Sequence, residues 1–118
     1  MADLPHLDDE ALAELQDVME DDFATLIRTY LNDSKERIAG LKSAMKHRDA
    51  DAFAKTAHSF KGSSINIGAP HLGDLCRQIE KVGLEERLSD APPLLSAIDA
   101  ELQQVTVALE ALMARSAE

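Results

Sequence analysis

The chain has 118 residues, 12 basic and 22 acidic side chains, and a formal charge of −10, with three Phe, one Tyr and no Trp. That balance excludes a nucleic-acid binder, which needs a basic face and stacking platforms, and adsorption to anionic membranes. The length fits a single domain over residues 1–118, and such a chain buries roughly 65% of the surface its unfolded form exposes, so a core forms without staples.

Every segment reads as helix, and no segment alternates with period two. Asp8 caps a first helix running to about Met19, with Leu12, Leu15 and Met19 on one stripe. Asp21 or Asp22 caps a second that runs to about His47. Its stripe is Phe23, Ile27, Tyr30, Leu41 and Met45, supported by Leu26, Leu31 and Ile38. Asp49 caps a third, with Phe53, Ala57, Phe60, Ser64 and Ile67 on one side. Gly68-Ala69-Pro70 stops it and starts a fourth, because proline is tolerated in a first turn. The fourth carries Leu72, Leu75, Cys76, Ile79 and Val82, with Gly83 as its expected C-terminal cap. Asp90-Ala91-Pro92 opens a fifth, striped by Leu95, Ile98, Leu102, Val105, Leu109 and Leu112. Short connections make neighbours antiparallel. The expected fold is all-α: an up-down-up-down four-helix bundle with a short extra N-terminal helix. A dimeric bundle of the same helices is the alternative.

Targeting and charge add little specificity. The opening MADLPHLDDE lacks the basic start and apolar stretch of a signal peptide, and no apolar run approaches the ~18 residues of a membrane span. Cys76 is the single cysteine, so no internal disulfide forms. A cytoplasmic protein is expected. Residues 1–22 hold nine acids and no Lys or Arg. This segment reads as a solubilising face.

The third helix carries the chemistry. On a helical wheel with Phe53 at zero, His58 lies at about 140°, Gly62 at about 180°, Lys55 at about 200° and Lys61 at about 80°. His58 therefore faces solvent between two lysines, and Gly62 sits one turn on, beside the imidazole. A glycine inside a helix costs about 1 kcal/mol relative to alanine. On an exposed face, it is either a tolerated surface residue, an early helix end, or clearance for a bulky group. An exposed imidazole near neutral pH is a nucleophile, and flanking ammonium groups attract an anion. A phosphoryl group fits both. No Gly-rich phosphate loop or kinase signature is present, so the donor has to be another protein.

Ala57-His58-Ser59-Phe60-Lys61-Gly62-Ser63-Ser64, then Gly68-Ala69, Leu72, Leu75-Cys76 and Ile79-Glu80, resembles the histidine-containing phosphotransfer (HPt) family, and within it the free-standing bacterial members of the HptB type. The sharp motif covers residues 57–80, and the helix order extends the resemblance over nearly the whole chain. The resemblance implies a four-helix bundle in a two-component phosphorelay. It implies that His58 accepts a phosphoryl group from the receiver-domain aspartate of a hybrid sensor kinase and passes it to a response-regulator receiver domain. Lys61 then offsets phosphoryl charge, Gly62 provides clearance, and Glu80 holds the other ring nitrogen or is an ordinary solvated residue. Phe60, where the family often has Leu, should change packing only. No cofactor is expected on this chain, with Mg²⁺ on the partner receiver domain only, no autonomous kinase activity, and a monomeric state. Partner contacts are expected from Lys55, Asp51, Ala54, Ser59 and Lys61, plus residues of the second helix, with the lysines steering association.

Two other functions compete. A binding module of the same fold would sequester a receiver without transfer. A Cys/His hydrolase has only Cys76 and His58 to offer, one inside and one outside. The remaining histidines do not form a metal pattern. His6 belongs to the terminus, His47 suits a helix C-terminus, and His71 is a candidate for the rim of the site.

Overall fold

The computed structural model describes residues 4–116. They form five helices: α1 (Asp9–Met19), α2 (Phe23–Lys46), α3 (Ala50–Asn66), α4 (Pro70–Leu84) and α5 (Ala91–Ser116). Short 3₁₀ turns at Glu20–Asp22 and Leu88–Asp90 lead into α2 and α5. Among the described residues there is no strand. Helices α2 to α5 form an antiparallel four-helix bundle, and α1 is the extra N-terminal helix. The closest packing is between α3 and α4.

Local chemistry explains the boundaries. The Asp8 carboxylate accepts from the Ala11 amide at 3.1 Å and Asp49 from the Ala52 amide at 3.0 Å, so both caps close as the sequence predicts. Neither Asp21 nor Asp22 caps α2 through a side chain; they lie in the 3₁₀ turn before it. Gly68 has φ +88°, and its carbonyl accepts from the Asp8 amide at 2.8 Å. The left-handed turn between α3 and α4 thereby anchors the start of α1, with Leu12 packed against it.

The expected stripes form the core. Phe53, Phe60, Ile27, Leu41, Leu72, Ile79, Ile98 and Leu109 are fully buried. Gly83 is not the C-cap of α4. That helix continues through Leu84 to a cap at Glu85, with Glu86 at φ 55°. Gly83 lies inside the helix and buried. An added Cβ would meet the Ala54 amide nitrogen, Ala54 Cβ and Phe53 Cδ1, each at 3.0 Å. It is the point where α4 crosses α3 most tightly.

Between α2 and α3 one buried polar pair is fully matched. The Tyr30 hydroxyl and Ser64 Oγ are 2.7 Å apart, and Ser34 Oγ donates to the Tyr30 carbonyl at 2.7 Å. Burial pushes the Tyr30 phenol up to about 12, so it stays neutral.

Candidate functional site

The Asp49 cap sets the start of α3, and the stripe Phe53–Ala57–Phe60–Ser64 buries one side of that helix. The opposite side faces out and carries His58, whose side chain is 67% exposed. Helix α4 packs alongside and delivers Glu80, one turn beyond Cys76 and one residue after the buried Ile79. The Glu80 side chain is 15% exposed. Its Oε2 lies 2.7 Å from His58 Nδ1, and its Oε1 accepts from Lys61 Nζ at 2.7 Å.

The protonation pattern follows from the partners. An ionised carboxylate only accepts hydrogen bonds, so Nδ1 carries a proton, and in the neutral ring that tautomer leaves the lone pair on Nε2. Burial pushes the Glu80 carboxyl up, but the hydrogen bonds from Lys61 and His58 outweigh it and hold it below its ordinary value near 4.5. Glu80 is thus ionised at neutral pH and tethers two residues of α3 at once. It is not an ordinary solvated residue.

Gly62 follows one turn after His58, inside α3. An added Cβ there meets nothing within 4 Å. Neither an early helix end nor internal packing accounts for this glycine.

The other expected residues divide. Ser59 is exposed and accepts two hydrogen bonds from Arg37 of α2, from Nε at 3.1 Å and Nη2 at 2.9 Å. Lys55 and Asp51 are exposed and pair with each other at 2.9 Å. Ala54 does not belong to the outer face. It is 5% exposed, because α4 comes so close at Gly83 that it covers the arc beside Phe53. The two lysines flanking His58 do not stand as free cations either. Lys61 is matched by Glu80 and Lys55 by Asp51.

Arg37, which reaches Ser59 from α2, was not named by the sequence reading, which expected contacts from the second helix without giving a residue. The signal was a charged residue seven positions after Tyr30, where the buried stripe of α2 should continue.

The remaining candidates lie elsewhere. His71 Nε2 is 3.9 Å from Glu101 Oε1, and His6 Nδ1 is 2.6 Å from Glu101 Oε2, so both gather at α5 rather than at His58. His47 Nδ1 is 2.8 Å from the Ser43 carbonyl and donates to it at the end of α2. Cys76 is fully buried, and burial pushes its thiol up to about 12, which leaves no nucleophile for a Cys/His hydrolase. Among the described residues no group of His, Cys, Asp and Glu could hold a metal ion, and no helix is long and apolar enough to cross a membrane.

Comparisons with known proteins agree on one family. The Hpt domain family model matches residues 25–108. The crystal structure of histidine-containing phosphotransfer protein B from Pseudomonas aeruginosa PAO1 matches with a TM-score of 0.91 at 40% identity, covering 96% of this chain and 98% of that one. A histidine-containing phosphotransfer protein from maize matches with a TM-score of 0.81 at 18% identity, covering 92% and 89% of the two chains. The HPT domain of a sensor hybrid histidine kinase from Shewanella matches with a TM-score of 0.73 at 21% identity, covering 93% and 95%. The last two share the fold. No curated protein matches the chain.

Proposed function

We propose, for a chain that belongs to the Hpt domain family and so to the phosphorelay intermediaries, that His58 is the residue that carries the phosphoryl group. The donor is the phosphorylated aspartate of a receiver domain in a hybrid sensor kinase. The acceptor is the aspartate of a response-regulator receiver.

The observation that carries this reading is the Glu80 bond to Nδ1, made beneath a ring that is two-thirds exposed. Nε2 attacks the phosphorus of the aspartyl phosphate. The P–N bond forms as the P–O bond to the aspartate breaks, and the aspartate leaves as a carboxylate. The ring becomes a phosphorylated imidazolium that keeps its Nδ1 proton. Glu80 already accepts from that proton, so the positive charge develops against a fixed carboxylate. The reverse sequence returns the phosphoryl group to a second aspartate. Lys61 stands on the same carboxylate and is within the same turn of α3 as His58. It offsets the charge of the phosphoryl oxygens once they arrive. Any divalent cation belongs to the receiver's acidic site.

Gly62 supports this reading from the steric side. A partner's backbone has to approach Nε2 closely enough for in-line transfer, and the glycine leaves that approach open.

The test is incubation with a phosphorylated receiver domain. Wild-type protein is expected to gain an acid-labile, base-stable label, and His58→Gln to gain none. Absence of label, or equal label on both, overturns the assignment. A sequestering module would show binding with no label.

A further inference from the structure

The face around His58 holds a cation that the phosphoryl chemistry above does not use. Arg37 sits on the inward stripe of α2, three residues after the buried Ser34, and its side chain is 27% exposed. It reaches across to α3 and places Nε and Nη2 on one hydroxyl, that of Ser59, the neighbour of His58. Its carboxylate partner, Asp33, stands 4.0 Å from Nη1.

The other cations on this side are better matched. Lys61 meets Glu80 at 2.7 Å, Lys55 meets Asp51 at 2.9 Å and Arg77 meets Asp74 at 2.9 Å. A guanidinium is a planar fork that fits both oxygens of a carboxylate. Two N–H groups on a single neutral oxygen use only part of that capacity. The guanidinium is half-buried and open to solvent along the Ser59 side, and its one carboxylate partner stands at the outer limit of an ion pair.

Its surroundings leave room for an anion. Arg37 lines a hollow of about 480 Å³ between α2 and α3, where Lys55, Thr56 and Gly40 stand with the carboxylates of Asp33 and Glu36, so an incoming anion is favoured only at the guanidinium itself. It also lines a second hollow of about 350 Å³ toward α1, with Tyr30, Ser63, Leu15 and Met19. Arg37 therefore lies on the divide between two concavities, beside the exposed histidine.

We propose that Arg37 is a specificity-determining contact for the receiver partner: on docking, its guanidinium exchanges the Ser59 hydroxyl for a carboxylate on the rim of the receiver's acidic site. The inference rests on the phosphotransfer reading. Ser59 is exposed, so its released hydroxyl is taken up by water and the exchange costs little. A bidentate pair formed at the edge of the interface sets orientation and partner choice, while His58 carries out the chemistry.

The experiment uses the full chain as wild type, Arg37→Gln and Arg37→Lys. Each is phosphorylated with phosphoramidate, a small donor that needs no docking, and then offered to a panel of purified receiver domains at several salt concentrations. Phosphoramidate labelling and melting temperature should be the same in all three. Transfer by Arg37→Gln to the preferred receiver should fall about tenfold in kcat/KM, the scale of one charge-assisted contact, with a shallower salt dependence. Arg37→Lys should keep the salt dependence and recover only part of the rate, because an ammonium cannot take both oxygens. Wild-type rate and salt dependence in Arg37→Gln overturn the proposal. So does an equal loss of phosphoramidate labelling, which would make Arg37 a support for His58. A labelled wild-type chain that passes its phosphoryl group to no receiver overturns the parent reading, and this one with it.

Discussion

Replacing Gly62 by alanine should make the protein more stable and less active. Gly62 lies inside α3, where glycine costs about 1 kcal/mol relative to alanine. The new methyl meets nothing within 4 Å, so no packing penalty opposes the gain. The expected stabilisation is about 0.5–1 kcal/mol, or a rise of roughly 4 °C in melting temperature for a domain of this size. Gly83→Ala is the control. The same propensity gain is set there against three contacts at 3.0 Å, one of them a backbone nitrogen that cannot rotate away. Overpacking costs about 1–3 kcal/mol, so this variant should be destabilised by about 1 kcal/mol. Urea unfolding followed by far-UV circular dichroism measures both. Transfer from a phosphorylated receiver to Gly62→Ala should fall, because the methyl stands one turn from His58 in the path of the partner. Labelling by phosphoramidate should hold at the wild-type rate. A less stable Gly62→Ala would give this glycine a structural role, and an undiminished transfer rate would remove the clearance argument.

Glu80→Ala should release His58 from its Nδ1–H tautomer, which ¹⁵N NMR of the imidazole reads directly; an unchanged tautomer would mean that Glu80 does not hold the ring. The same carboxyl is held below its ordinary value near 4.5. Its contribution to stability is therefore fully present above about pH 4.5 and is lost as pH falls through the lower folded value. The stability gap between wild type and Glu80→Gln should accordingly close on acidification, as urea midpoints across that range will show. Tyr30→Phe leaves the fully buried Ser64 without its phenol partner and should cost about 1 kcal/mol, at the low end because the Ser64 hydroxyl can turn to a carbonyl one turn back. Adding Ser64→Ala should restore part of that loss, and a double-mutant cycle with no coupling would refute the pair.

What was legible in the sequence was local. Asp8 and Asp49 are followed at once by helical periodicity, and a carboxylate three residues from an amide needs no tertiary information to cap it. Apolar stripes on α2 to α5 likewise report one buried face each. Gly83 was misread because a glycine near a helix end serves equally as a cap or as a crossing point. Only the approach of Ala54 distinguishes them. The same approach hid Ala54, since a wheel drawn for one helix cannot show how wide an arc its neighbour covers. At the site, His58, Lys61 and Gly62 were visible because they share one helix. Glu80 needed the family resemblance, since a partner 22 residues away on another helix has no local signature. The bond from His6 to Glu101 spans 95 positions and was out of reach of any local pattern.

Charge shows how the local and the long-range combine. The −10 of the chain is concentrated in its first 22 residues, and much of it sits where helices begin, with Asp9 and Glu10 in the first turn of α1 and Glu20–Asp22 just before α2. Carboxylates are favoured there by the helix dipole, so they serve the fold as well as solubility. Lysines around His58 were expected to oppose that charge and draw in an acidic receiver. Both are instead neutralised within hydrogen-bonding distance, Lys55 by Asp51 and Lys61 by Glu80. Long-range attraction at the histidine is thereby weakened, and a partner has to recognise the face at contact range. Two features act at that range. The space over Gly62 is open to a partner's backbone, and the fork of Arg37, on the proposal above, takes a partner's carboxylate in place of Ser59. On the proposed reading, discrimination among receivers depends on the α2 edge of the site, and the His58–Glu80–Lys61 cluster would perform the same chemistry for whichever receiver docks.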